Sequence, residues 1–359
     1  MIAFSDKQWE SVHANYRRWW KGKLGRPILP IILHGRDPGR PEPKIPQLVY
    51  GNIKDFSITA EQIIDRMDYD MSCNEYLLDA YPYAYMANFG AGVTAAFLGA
   101  KVESADDTVW FLPPDRYKMP SELTFTYDEG NIWLNRVKDI YCAGMKRWGG
   151  AVIMGMVDLS GIMDVLSMFC GTENLLLALY DEPEEVKRCI NELQKLWFRF
   201  YDEINDILKG SWGYTDWAGI LYEKPSYMQQ SDFSYMIGPD MFAEFVLPEL
   251  ESSAARLDRS FYHLDGQGQL PHLPCLLKSK HIAGIQWVPG VPESDHEDWS
   301  EVYEKISAAG KKIQMSCRLD KYYDEILPVI KRPDDLCKLT MHYSVSEKSA
   351  LARKLKDYL

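Results

Sequence analysis

No stretch of this chain approaches the ~20 consecutive apolar residues that a bilayer-spanning helix needs, and no basic segment leading into an apolar core opens it. The expectation is a cytoplasmic protein with no membrane partner. Cysteine is present but unpatterned: seven residues, at 73, 142, 170, 189, 275, 317 and 337, with no CxxC pair among them. An odd, scattered set without an export signal reads as reduced thiols, not as a disulfide framework. Positive charge is in deficit, 40 Lys and Arg against 52 Asp and Glu for a net charge of −12. That balance opposes general affinity for nucleic acid or anionic lipid, though local arginines could still hold a small anion. No GxGxxG follows the first apolar run, which leaves a dinucleotide-binding fold with little support. Internal repeats, low-complexity tracts and linkers rich in Pro, Gly and Ser are also missing, so one domain over residues 1–359 is expected.

What is there is an alternation. Short β-type runs occur at Ile28 to Leu33, Glu75 to Leu78, Ala151 to Val157, Gly213 to Ile220 and Tyr227 to Gln230. Further runs lie at Ser260 to Asp265, Ile282 to Val288, Lys312 to Cys317 and Leu336 to Tyr343. Helical patterns separate them. In Pro183 to Lys209, Val186, Ile190, Leu193, Trp197, Phe200, Ile204 and Leu208 recur at three- and four-residue steps before Gly210. Strands alternating with helices call for a parallel sheet, and about eight units in one chain favour a closed (β/α)8 TIM barrel. Residues 1–25, with the aromatic stripe Trp9 to Trp20, read as a helical extension covering the barrel bottom or a partner subunit in a homodimer. Residues 89–145, with few strong elements, read as an insertion.

The densest chemical signal is Tyr262-His263-Leu264-Asp265-Gly266. Residues i and i+2 of a strand share a face, so His263 and Asp265 should project together, and the C-terminal end of a barrel strand is where chemistry is usually built. Other strand ends add Asp79, Asp158 and Asp232, and His34 with Arg36. Trp217, Tyr222, Trp287, Tyr81 and Tyr83 fall at or just after strand ends and predict an aromatic mouth, suited to a flat or methylated ligand. His34, Arg36, Tyr81, Trp217, Tyr222, Asp232 and Trp287 form the expected substrate-binding set. A buried histidine bonded to its neighbouring aspartate for structural reasons is the plainer alternative for His263 and Asp265.

Gly155 to Val186, with Leu159-Ser160-Gly161, Phe169-Cys170-Gly171 and Leu179-Tyr180-Asp181-Glu182-Pro183, resembles the third barrel unit of the uroporphyrinogen decarboxylase superfamily. Ser231-Asp232-Phe233 and Ile237 to Pro248 are similar to the segment that both branches of that superfamily, the decarboxylases and the corrinoid-linked zinc methyltransferases, carry after the fifth strand. The resemblance runs from about Ile28 onward and implies a (β/α)8 barrel. On the decarboxylase side it matches Asp79 to an aspartate that gathers pyrrole N–H groups and His342 to a substrate-touching histidine. It also echoes an R-x-x-G-R motif in Arg36 to Arg40, but finds no tyrosine in Asp158 to Leu166. On the methyltransferase side, a zinc-binding His-x-Cys reads His263-x-Asp265 here, and the distant cysteine ligand falls at or beside His342. Cys317 lies in a different strand run and reads as a core residue.

The resemblance therefore implies a catalytic group of Asp79, His263, Asp265 and His342, with His263, Asp265 and His342 as ligands for zinc or another divalent metal. Three functions stay open. The first is methyl transfer between a small substrate and a thiol or a corrinoid supplied by a partner protein. The second is a carboxy-lyase acting on a smaller acid, with Asp79 and His342 handling the proton. The third is a non-catalytic ligand-binding barrel.

Overall fold

The computed structural model describes residues 1–49, 54–104, 108–290, 298–315, 330 and 332–356. Its strands are β1 (Pro30–His34), β2 (Asn74–Leu78), β3 (Tyr83–Ala84), β4 (Lys101–Ser104), β5 (Val109–Leu112), β6 (Ile153–Met154), β7 (Tyr227–Gln230), β8 (Ser260–Asp265), β9 (Ile282–Val288), β10 (Lys312–Met315), β11 (Leu336–Lys338) and β12 (Met341–Ser344). β7 to β11 form one parallel sheet in sequence order, with helices crossing from β7 to β8, from β8 to β9 and from β9 to β10. β12 continues the last run beside β1, also parallel, and an Ile28–Cys337 bridge links the two ladders. The architecture is mixed α/β around a parallel sheet. Among the described residues the strands make four separate sheets, so the expected single closed ring is met only in part.

Two expected strands depart from the barrel pattern for visible reasons. The run ending at Asp79 is β2, and it pairs antiparallel with β1. The helix Ala60–Ser72 returns the chain to the C-terminal end of β1, where the Gly35 and Arg36 N–H groups donate to the Cys73 carbonyl. From there the strand can only run back down. The run Gly213 to Ile220 is a tight turn closed by the antiparallel bridge Tyr214–Tyr222, and its tip carries Asp216, Trp217, Ala218 and Gly219. Within the stretch read as an insertion, Leu134, Val137, Ile140 and Tyr141 of the helix Ile132–Trp148 join the principal core. Among the described residues no single helix is long and apolar enough to cross a membrane.

The N-terminal helix Asp6–Trp20 begins with a capping box between Ser5 and Gln8. Its buried Trp9, Val12, Tyr16 and Trp19 pack on Ile28, Ile153, Met228, Phe261 and Cys337, residues near the starts of five strands. Trp19 Nε1 donates to the Leu336 carbonyl at 2.9 Å. The helix thus covers the N-terminal end of the strand assembly. That leaves the opposite end for His263 and Asp265.

Candidate metal centre

β8 alternates as its sequence requires. Tyr262 and Leu264 enter the principal core, whereas Phe261 faces the N-terminal helix, so His263 and Asp265 share Phe261's side at the far end of the strand. His263 Nε2 lies 3.8 Å from Asp265 Oδ2. Gly266, at φ +81°, stops the strand directly after Asp265, and a Cβ there would meet the Tyr235 ring at 2.9 Å. Asp232 enters from the neighbouring strand end as the first residue of a 3-10 turn, Asp232–Met236. Two groups pin that turn: Asp164 Oδ1 accepts from the Phe233 N–H at 2.7 Å, and His272 Nε2 donates to the Ser234 carbonyl at 2.9 Å. Ligand atoms of Asp232, His263 and Asp265 all lie within 4.8 Å of one another.

The electrostatics of this trio are one-sided. Among the described residues no lysine or arginine pairs with Asp232 or Asp265. Asp232 keeps an exposed edge yet is crowded by protein; burial raises its carboxyl above the ordinary range, His263 pulls it back down and Asp265 adds a further upward push. One imidazole and two carboxylates without a counter-cation suit zinc, Fe(II) or Mn(II), which accept these donors. The Trp217 ring meets His263 edge-on, with centroids 5.1 Å apart at 88°, and among the described residues its buried Nε1–H has no acceptor.

The other expected site residues are distributed elsewhere. His342 lies on β12, where its Nδ1 is 2.8 Å from His34 Nε2 and the two rings are nearly coplanar. His34 Nδ1 in turn meets Asn74 Oδ1 at 2.8 Å. Burial and the neighbouring His34 lower the His342 pKa. These two histidines form a pair of their own, outside the Asp232–His263–Asp265 trio. Asp79 is not at this end at all. It is fully buried beside the start of β1, held by both guanidinium nitrogens of Arg26 at 2.6 and 2.9 Å, by Asn15 Nδ2 at 2.9 Å and by the Leu29 N–H at 2.8 Å. Because β2 runs antiparallel, its last residue reaches the N-terminal end, so the expected four-way convergence does not form.

Arg36 donates to the Ser72 and Met1 carbonyls, and Arg40 pairs with Asp65 and Asp68. Neither is set among the trio. Three aromatics expected at the mouth are buried. Tyr222 packs with Trp20 near the N-terminal helix, and Trp287 faces the helical layer against Trp299. Tyr81 supports the 213–222 turn from below, donating to Thr215 Oγ1 and the Gly219 carbonyl. Cys317 lies outside the described residues.

Behind the trio lies a layer of buried acids. Burial pushes Asp158 and Asp216 up to about 7 and Glu249 up to about 8, and it raises Asp164 with help from Asp232. Gly161 packs against the end of β7 so closely that a Cβ would sit 2.1 Å from the Gln230 carbonyl. Each raised carboxyl binds its proton more tightly folded than unfolded. Stability tied to these groups is therefore full below the ordinary carboxyl range near pH 4 and is lost as pH rises through about 7 to 8. His13, His272 and His342, whose pKa values are lowered, act oppositely but below pH 6.5. The melting temperature in chelator is expected to fall by several degrees between pH 6.5 and 8.5, and Glu249→Gln should flatten that fall. A melting temperature that climbs across this interval, or an unchanged slope in the variant, contradicts the assignment.

Sequence reasoning missed two residues at the centre, Gln286 and Gln314. Their signal was available: Gln286 is the lone polar residue of β9, and Gln314 is an uncharged polar residue between the apolar Ile313 and Met315 of buried β10. No protein-family model matches the chain, and no curated protein matches it in sequence. A solved structure of a methyltransferase from Methanosarcina mazei is similar to it over 97% of this chain and 99% of that one, with a TM-score of 0.61 at 11% identity. The likeness is one of fold.

Proposed function

We propose that this chain is a metal-dependent methyltransferase moving a methyl group between a small substrate and a thiol or a corrinoid carried by a partner protein. The observation that carries this reading is the convergence of Asp232, His263 and Asp265 at the open strand ends of a fold shared with a methyltransferase. These three residues would hold the ion. A divalent ion there supplies Lewis acidity, which favours the ionised form of a bound thiol or hydroxyl as the methyl acceptor. The turn 232–236, clamped by Asp164 and His272, holds Asp232 against β8. Trp217 closes one side of the His263 ring.

The His34–His342 pair carries a proton between two ring nitrogens and offers a second place for substrate on the neighbouring strand ends. The carboxy-lyase alternative draws no support from the geometry, because Asp79 is saturated by Arg26, Asn15 and Leu29 at the far end of the strands. The test is direct. Protein purified without chelator should contain close to one equivalent of divalent metal and should methylate cob(I)alamin from methylated thiols or amines, read as the appearance of the methylcobalamin spectrum. Uroporphyrinogen III should keep all its carboxylates, since each one desolvated without a cation costs several kcal/mol. Metal-free protein that strips those carboxylates at roughly 1 per second makes the chain a decarboxylase instead.

A further inference from the structure

His263, Gln286 and Gln314 stand on one rung of three adjacent parallel strands: His263 is in register with Gln286, and Gln286 with Gln314. Their side chains form a continuous line of hydrogen bonds. His263 Nδ1 meets Gln286 Oε1, Gln286 Nε2 donates to Gln314 Oε1 at 2.8 Å, and Gln314 Nε2 donates to the Ala218 carbonyl at 2.8 Å. Both glutamines are 1% exposed, so water cannot stand in for a missing partner.

The direction of this line is fixed at its far end. A backbone carbonyl can only accept, so the Gln314 amide must present its nitrogen to Ala218 and its oxygen to Gln286. Gln286 must then present its nitrogen to Gln314 and its oxygen to His263. An amide oxygen cannot donate, so Nδ1 of His263 must carry a proton. The anchor itself is rigid: Asp216, fully buried, accepts from the Ala218 N–H at 2.9 Å and from the Met228 N–H at 2.8 Å, tying the tip of the turn to β7.

We infer that Gln286 and Gln314 are positioning residues that hold neutral His263 in its Nδ1–H tautomer, leaving the Nε2 lone pair free beside Asp265 and Asp232. The turn at 216–218 acts as the reference point from which that tautomer is set. Its consequence for metal affinity rests on the proposed metal centre, whereas the tautomer does not. Orienting partners of this kind are worth 10- to 100-fold in metal affinity. Without Gln314, the Gln286 amide is free to turn over and offer its nitrogen to Nδ1, which moves the proton to Nε2 and blocks the ligand position.

The experiment uses the full chain, 15N-labelled and metal-free, at a pH where imidazoles are neutral. Long-range 1H–15N correlation distinguishes the two tautomers for each of the seven histidines, and a His263→Gln variant assigns the His263 signals. Wild type should show a protonated Nδ1 and a bare Nε2. Gln314→Leu should shift the ring towards Nε2–H and weaken Zn2+ binding, followed by calorimetry, 10- to 100-fold. Gln286→Glu, which keeps an acceptor facing Nδ1, should retain the wild-type tautomer, and it separates loss of the line from loss of packing. A protonated Nε2 in the wild type overturns the inference, whether or not the variants fold. So does a tautomer that ignores Gln314→Leu. The expected tautomer in a protein that binds no Zn2+ leaves the relay standing and removes the metal centre.

Discussion

His263→Ala is expected to reduce Zn2+ affinity by at least about a hundred-fold, to the point where metal is lost during desalting. Ligand number sets the size of this loss. His263 is the only nitrogen donor in the trio, and removing it leaves two carboxylates on separate strand ends, with the Gln286–Gln314 line no longer reaching a ligand. Catalytic zinc sites use three protein ligands, so a two-carboxylate remnant falls to the affinity of an ordinary acidic surface. Asp232→Asn and Asp265→Asn should each weaken binding less, since an amide oxygen still donates to the metal without the charge. Cys317→Ser should leave affinity unchanged, as should His342→Ala, because His342 bonds to His34 outside the trio. Calorimetric titration of chelator-stripped protein checks all five. Metal retained by the His263 variant moves the site elsewhere, and loss in the His342 variant would return that residue to the ligand set.

Asp79→Ala is expected to destabilise the fold by about 3–5 kcal/mol, the range for removing one partner of a buried ion pair, while leaving Zn2+ affinity within about two-fold. The carboxylate is 0% exposed and satisfies four donors, two of them on one arginine. Its loss takes the carboxylate away from the Arg26 guanidinium and the Leu29 N–H at the point where the N-terminal helix, β1 and the end of β2 meet. Chemical denaturation read by tryptophan fluorescence measures the first effect and calorimetry the second. Full stability in the variant would free Asp79 from its structural role and reopen the carboxy-lyase reading.

Much of the scaffold could be read from residue order alone. The parallel ladder β7–β11 follows from apolar runs alternating with helical periodicity, and the helix Pro183–Ile207 ends within two residues of the expected Lys209. The pairing of His263 with Asp265 follows from the two-residue repeat of a strand. What failed was direction and depth. Strand propensity in Glu75 to Leu78 carries no sign, so nothing local announces that β2 runs down; the helix that delivers it decides. Aromatics at strand ends look alike in sequence, yet Tyr222 and Trp287 are core while Trp217 reaches His263. Asp232 was legible as a rim residue. Its place as a third donor depends on the turn pinned by Asp164 and His272, which lie far from it in the chain.

The pairing of β1 with β12 also bears on how the protein is made. Ile31 finds its partner in Met341, so the first strand must wait for some 310 further residues to leave the ribosome, 341 minus 31. Until then β1 is an apolar strand with one edge hydrogen-bonded to β2 and the other bare, a template for wrong pairing. Contacts so distant in sequence form late and slow folding. The N-terminal helix offers partial shelter during that interval, because its aromatics depend on strands 81–261 as well as on the last. Nascent chains arrested before residue 336 should therefore bind chaperones that recognise exposed strand edges, and release should coincide with emergence of Met341 to Ser344.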